Sequence, residues 1–129
     1  MRGLKIVLLI NFVSGVIYTL GLVFFPRQLE GIMMAPQEAA WSIYLIPIYL
    51  SITTASWYAY REPDQNAPII RAFVILWVGL VITHLFNVAT GIEQLNVTLP
   101  LFVFDFVMAA VILYYYIGYE KARGKGKSI

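Results

Sequence analysis

The chain has 129 residues, of which 60% are hydrophobic and only 12% are charged, and its formal net charge is +2. A water-soluble domain of this length needs far more polar surface, so the composition predicts an integral membrane protein. The sequence contains no cysteine, which excludes disulfides, thiol catalysis and iron–sulfur or zinc–thiolate sites.

Four apolar segments are long enough to cross the hydrocarbon core of a bilayer, which needs roughly 20 helical residues. In chain order they cover residues 6–25, 39–60, 69–91 and 97–119. The connections between them are short, so neighbouring helices should run antiparallel. The sequence therefore predicts a single all-α domain over residues 1–129, an integral membrane four-helix bundle with up-down topology.

The first segment follows the basic residues Arg2 and Lys5 and resembles a secretory signal peptide. Its apolar run is too long for a signal peptide and lacks a small-residue cleavage site, so we interpret it as a retained first helix. Asn11 and Tyr18 lie on one polar stripe of this helix, with Asn11 nearer the cytoplasmic side. Both are candidates for an intramembrane polar cluster.

The connection after the first segment contains an amphipathic pattern. In "FPRQLEGIMM", Leu29, Ile32 and Met33 fall on one side at helical spacing, and the polar residues fall on the other. A short helix in the outer membrane interface would give this pattern. An irregular loop whose apolar residues dip into lipid fits it equally well.

The second segment carries a stripe of polar and aromatic residues. One of its faces holds, at helical spacing, Tyr44, Pro47, Ser51, Thr54 and Tyr58. Ser51, Ala55 and Ala59 are small residues four positions apart, a spacing that lets helix backbones approach closely.

The third and fourth segments contain the two side chains that are most costly in lipid, His84 and Asp105. His84 is the only histidine in the chain, and Asn87 shares its face of the third segment. Both His84 and Asp105 should lie roughly 10–12 Å below the outer surface, at a rise of 1.5 Å per residue. A lone carboxylate in hydrocarbon costs at least ~2.5–3.5 kcal/mol, so we expect Asp105 to face the bundle interior and to meet His84. Asn87, with Tyr18 or Tyr44, would supply further contacts.

The basic residues indicate the orientation of the chain. Lysine and arginine cluster before the first segment, around the connection between the second and third, and after the fourth, whereas the other two connections together carry only Arg27. The positive-inside rule therefore predicts that both termini are cytoplasmic. Residues 120–129 would form a basic cytoplasmic tail that can also contact anionic lipid head groups.

Three interpretations of His84 and Asp105 are open. In the first, the pair is a structural hydrogen-bond cluster between helices, since such contacts contribute about 0.6–2 kcal/mol each. In the second, the pair lines a pocket for a quinone or a lipid head group and supplies hydrogen bonds or proton transfer. In the third, His84 is the axial ligand of a haem or chlorophyll-type pigment. No second histidine is present, so that site would be five-coordinate or completed by a methionine or a partner subunit.

The sequence contains no glycine-rich phosphate loop, no nucleophile paired with a base and no two-histidine metal spacing, which excludes a hydrolase or a kinase. We expect a non-catalytic membrane subunit, or an assembly or stabilising factor, of a larger membrane complex. Its partners would be membrane lipids and other membrane subunits or further copies of the chain, and no nucleic acid. The alternative is a redox-linked membrane protein that binds a quinone, a lipid or a pigment at His84 and Asp105.

The layout resembles small four-helix bacterial membrane proteins of the DoxX-like and BphX-like kind. The resemblance is carried by "SGVIYTLGLVFFP" followed by "RQLEGIM", by "THLFNVATG" at the end of the third segment, and by Asp105 in the fourth. It implies the four-helix fold and a multi-pass location in a bacterial or archaeal inner membrane. Some members of the wider group are linked to quinone or thiol redox chemistry, and the lack of cysteine argues against a thiol role here.

Overall fold

The computed structural model describes residues 2–26, 28, 39–92 and 95–126, with the side chains of 39–44 and 95–98 outside the described part. Within these ranges the protein is all-α. Its four described helices are α1 (Arg2–Phe24), α2 (Ala39–Arg61), α3 (Ala67–Ala89) and α4 (Leu95–Gly126).

The helices coincide with the four predicted segments. Three of them, namely α1, α3 and the part of α4 over Leu99–Gly126, are long and apolar enough to cross a membrane. They indicate a membrane protein, in agreement with the composition. The second predicted span coincides with α2, whose first six side chains lie outside the described residues, so its crossing stays a prediction. The interfacial helix predicted around Leu29, Ile32 and Met33 also lies outside the described part of the chain.

Helix α4 is longer than its predicted segment. It comprises 32 residues and continues through most of the predicted basic tail, to Gly126. The residues that follow Tyr119 are mainly good helix formers, and Arg123 Nη1 lies 4.0 Å from Glu120 Oε1, one turn earlier. The basic residues up to Gly126 therefore belong to the helix.

Helix α3 ends in a Schellman motif. The N–H of Ile92 donates to the carbonyl of Asn87 at 2.8 Å, and the N–H of Gly91 donates to that of Val88 at 3.2 Å. Gly91 has a φ of 76°, a left-handed conformation that glycine adopts without a steric penalty. This motif ends α3 two residues before the predicted boundary at residue 91 and begins the short connection to α4.

The chain divides into two compact units. The first comprises Met1–Val7 with Asn66–Ile129, and the second comprises Leu8–Gln65. In the first unit, α3 packs against α4. The apolar side chains that these two helices bury include Ile70, Phe73, Trp77, Met108, Ala109 and Ile112.

In the second unit, α1 and α2 meet along a row of small and polar residues. Asn11 contacts Ser56, a Cβ at Gly15 would collide with Thr53 Oγ1, and Tyr18 stacks on Tyr49. The buried residues of α2 in this row are Thr53, Ser56 and Ala59. Gly15 thus allows close approach of the backbones. Of the small residues predicted at four-residue spacing on α2, Ala59 is buried, whereas Ala55 is half-buried and Ser51 is exposed.

The polar stripe predicted for α2 does not form the buried face. Pro47, Ser51, Thr54 and Tyr58 are all exposed, and the side chain of Tyr44 lies outside the described residues. The Ser51 hydroxyl donates to the carbonyl of Pro47, and that of Thr54 to the carbonyl of Leu50. Because these hydroxyls are satisfied within their own helix, they do not have to face the interior.

Candidate functional site

His84 and Asp105 join α3 to α4 inside the first unit. His84 Nε2 lies 2.9 Å from Asp105 Oδ2, although the two residues are 21 positions apart in the chain. Their side chains are 16% and 11% exposed, respectively. The structure therefore contains the contact that was predicted from the cost of placing these two groups in lipid.

One aromatic ring contacts this pair, and further aromatic contacts lie on the same two helices. The ring of Phe102 meets the His84 imidazole edge-on, with centroids 6.2 Å apart and an interplanar angle of 85°. Phe106 stacks on Phe102, and Trp77 meets Phe104 edge-on at 5.8 Å. An edge-on ring fixes the plane of the imidazole, and the apolar surroundings strengthen its bond to the carboxylate by lowering the local dielectric.

The geometry of the pair limits its chemistry. A neutral imidazole protonated at Nε2 donates to the carboxylate, and a doubly protonated one forms an ion pair with it. In either form Nε2 is engaged by Asp105. A haem or pigment would therefore have to be bound through Nδ1, whereas hydrogen bonding or proton transfer to a small ligand uses groups that the pair already presents.

The other predicted site residues lie in several places. Asn87 is half-buried on α3, one turn beyond His84. Asn11 Nδ2 donates to Ser56 Oγ at 2.7 Å, with both side chains buried, and Tyr18 stacks on Tyr49 with centroids 5.5 Å apart. Asn11 and Tyr18 thus have contacts of their own within the second unit.

Sequence reasoning missed Ser56 as the partner of Asn11. Ser56 is completely buried, and its hydroxyl donates in turn to the carbonyl of Ile52. Asn11 therefore donates to an oxygen whose own proton is already committed to the backbone. The signal that could have identified this face is the succession of Thr53, Ser56 and Ala59, small residues three positions apart on α2.

A second polar contact between α3 and α4 lies about 20 Å along the helices from His84, at a rise of 1.5 Å per residue. Arg71 Nε donates to the Tyr116 hydroxyl at 3.0 Å, and Arg71 Nη2 donates to Glu120 Oε1 at 3.1 Å. The sequence marks Arg71 only as a basic residue near a membrane boundary, because an arginine near a helix end carries no signal for its partner.

Among the described residues, no buried side-chain nitrogen or oxygen lacks a hydrogen-bond partner. No group of three or more acidic, histidine or cysteine side chains in the same part of the chain could hold a metal ion. The polar side chains that lie between helices are thus joined to one another or to the backbone.

Comparison of the chain with models of protein families, with curated proteins and with solved structures gave no match.

Proposed function

We propose that the protein is a non-catalytic subunit, or an assembly or stabilising factor, of a larger membrane complex. The observation that carries this proposal is the pairing of polar side chains across helices, His84 with Asp105 and Asn11 with Ser56. Each pair uses its hydrogen-bonding groups to hold two helices together, which is the common role of such groups inside a membrane.

The proposed architecture is a membrane-inserted, antiparallel four-helix bundle with both termini in the cytoplasm. Arg71, near the start of α3, contacts Glu120 near the end of α4, whereas His84 near the end of α3 contacts Asp105 in the first half of α4. This order supports an antiparallel α3–α4 pair. The contacts of Asn11, Gly15 and Tyr18 with successively earlier residues of α2 support the same arrangement for α1 and α2.

The outer surface of the helices suits contact with lipid and with other membrane subunits. Large apolar residues are exposed on every described helix, among them Ile17, Ile48, Ile75, Ile82, Phe106 and Ile117. In water such a surface would aggregate, but in a bilayer it needs no further burial. The proposed location is a membrane, and the resemblance of the sequence layout to DoxX-like and BphX-like proteins suggests a bacterial or archaeal inner membrane.

A second candidate function is binding of a quinone, a lipid or a pigment at His84 and Asp105. The observation that favours it is that the pair is not wholly enclosed, because the His84 and Asp105 side chains are 16% and 11% exposed. A ligand at the surface of the pair could therefore accept a hydrogen bond or a proton from it.

Gentle purification from native membranes tests the two candidates together. We expect the chain to be recovered in an assembly larger than one copy, with its other subunits at fixed stoichiometry, and we expect deletion of the chain to lower the amount of that assembly. Recovery as a single chain with one quinone or pigment per protein, measured by extraction and by visible absorption, would favour the second candidate and contradict the first.

A matched pair of variants sharpens this test. Asp105→Asn should leave the assembly intact under the first candidate, but should give a folded protein without ligand under the second. Thr83→Ala is the control, since Thr83 is adjacent to His84, is exposed, and donates its hydroxyl to the Gly79 carbonyl of its own helix. It should leave both assembly and ligand content unchanged.

A further inference from the structure

We infer that the end of the first unit opposite the His84–Asp105 pair binds the head group of an anionic phospholipid. The cationic residues of this end, called the basic end below, are Arg2, Lys5, Arg71, Lys121, Arg123 and Lys125. The inference rests on the proposed insertion into a membrane, and it adds a preferred lipid and the residues that hold it.

Contacts from α4 fix the orientation of the Arg71 side chain. Its Nε donates to Tyr116 and its Nη2 to Glu120, so two contacts from α4 hold the guanidinium in one plane. These bonds use two of the five N–H groups of a guanidinium, and the side chain is still 54% exposed. A guanidinium that is held in place and accessible can donate to a phosphate with little further loss of entropy.

Two cations lie close to the Glu120 carboxylate. Arg71 Nη2 lies 3.1 Å from its carboxylate and Arg123 Nη1 lies 4.0 Å away, so two guanidinium groups share one negative charge. Arg123 also lies over the ring of Tyr119, 5.5 Å from its centroid. The three charged groups carry a net positive charge, which one phosphodiester would neutralise.

Further cations lie at the same end of the first unit. Gly3 lies directly against the Tyr115 ring, where any side chain at position 3 would collide. This contact places the first turn of α1, with Arg2 and Lys5, beside the last part of α4. Lys121 and Lys125 lie on α4 itself and are exposed. Among the described residues of the first unit, Glu120 is the one carboxylate at this end.

The position of Arg71 along α3 also suits contact with a lipid phosphate. Arg71 is the fifth residue of α3, about 6 Å from the helix start, and Tyr114, Tyr115 and Tyr116 lie on α4 near its level. Tyrosine is enriched where head groups meet hydrocarbon, so this depth is that of lipid phosphates. Cations near such a surface each contribute to the attraction of anionic lipid.

The experiment measures which lipid stays with the full chain. The protein is reconstituted into nanodiscs that contain equal amounts of phosphatidylglycerol and phosphatidylcholine, released into mild detergent, and weighed with its bound lipid by native mass spectrometry. We expect phosphatidylglycerol to be retained over phosphatidylcholine. Arg71→Gln should weaken its association about fivefold, and the double variant Lys121→Gln/Lys125→Gln about 25-fold, at about fivefold for each charge.

Arg61→Gln is the matched control, because Arg61 ends α2 in the second unit and does not belong to the basic end. It should change the association less than Arg71→Gln does, because it would act only through the general attraction of the membrane surface. Equal retention of the two lipids by the unaltered chain, or an equal effect of Arg61→Gln and Arg71→Gln, would overturn the inference. Displacement of the lipid by millimolar inorganic phosphate would overturn it as well, since the site would then recognise phosphate alone.

Reconstitution tests insertion into the membrane, and the later weighing of bound lipid tests binding, so the two failures are distinguishable. A chain that does not insert is lost at reconstitution, which contradicts the proposed membrane location. A chain that inserts but shows no lipid preference contradicts only the inference. The unfolding midpoint of each variant is measured in parallel. If Arg71→Gln fails to fold, the double variant Lys121→Gln/Lys125→Gln tests the inference instead.

Discussion

Asn11 and Ser56, which are 45 residues apart in the chain, are joined by a 2.7 Å hydrogen bond between two buried side chains. Asn11 is 3% exposed and Ser56 is 0% exposed. An amide has no partner in lipid tails, so this bond fixes which faces of α1 and α2 meet.

Removal of one partner of this bond should cost more than removal of both. Ser56→Ala is expected to destabilise the protein by about 0.6–2 kcal/mol, because Asn11 is then left buried without its acceptor. The double variant Asn11→Leu/Ser56→Ala should recover part of that loss. Unfolding by sodium dodecyl sulfate measures the stability of the single and the double variant. Ser51→Ala, whose hydroxyl bonds within its own exposed helix face, is the control and should change little.

An added methyl group at Gly15 should separate α1 from α2. Gly15→Ala places a Cβ against Thr53 Oγ1, and overpacking of this kind costs about 1–3 kcal/mol. Gly79→Ala is the matched control, because nothing lies within 4 Å of a Cβ built there. It should be neutral or stabilising by up to ~1 kcal/mol. Thr53→Ala should partly rescue Gly15→Ala, and equal effects of the two alanine variants would show that the close approach is absent.

Asp105 should tolerate asparagine better than leucine. Asparagine keeps an oxygen that can accept from His84 Nε2, whereas leucine leaves the imidazole without this partner. We expect Asp105→Asn to stay within about 1 kcal/mol of the original stability, and Asp105→Leu to lose about 0.6–2 kcal/mol. The double variant His84→Leu/Asp105→Leu should restore part of the loss. Strict additivity of the two leucine substitutions in a detergent unfolding assay would mean that the pair contributes nothing as a pair.

The carboxyl terminus should be cytoplasmic. Lys121, Arg123 and Lys125 lie on the last turns of α4 and resist translocation across the membrane. A fluorescent reporter fused there should be active in the cytoplasm, and a reporter that works only outside the cytoplasm should be active after Ile92. The reverse pattern would overturn both the orientation and the shared outer depth of His84 and Asp105.

The sequence predicts interhelical contacts best for polar side chains whose hydrogen bonds cannot all be made within their own helix. Asn11, His84 and Asp105 have several polar atoms beyond the reach of their own backbone, and each bonds to another helix. The predicted polar face of α1 and the predicted contact between α3 and α4 both rest on such residues. An unpaired polar side chain of this kind is costly in lipid, and that cost can be judged from the sequence alone.

The hydroxyl residues of α2 misled the same reasoning. Ser51 and Thr54 resemble an interior stripe, but each donates to a carbonyl four residues earlier and faces outward. The buried Thr53 and Ser56 make the same backbone bond. Hydroxyl polarity therefore does not distinguish the two faces of α2, and the close fit of Gly15 to Thr53 decides between them. Such a fit depends on the three-dimensional packing of two helices, which periodicity does not encode.

The length of α4 has a mechanical consequence. At 1.5 Å per residue its 32 residues span about 48 Å, well beyond the roughly 30 Å of a hydrocarbon core. The end of α4 thus extends beyond the hydrocarbon core as a helix. A domain fused after Gly126 would therefore start at a defined distance from the membrane and in a defined direction around the helix axis. One residue inserted after Tyr119 would raise that domain by about 1.5 Å and rotate it by about 100° around the helix axis. A partner that docks there should therefore respond to inserted residues through both the rotation and the rise, and the rise reaches about 10 Å after seven residues.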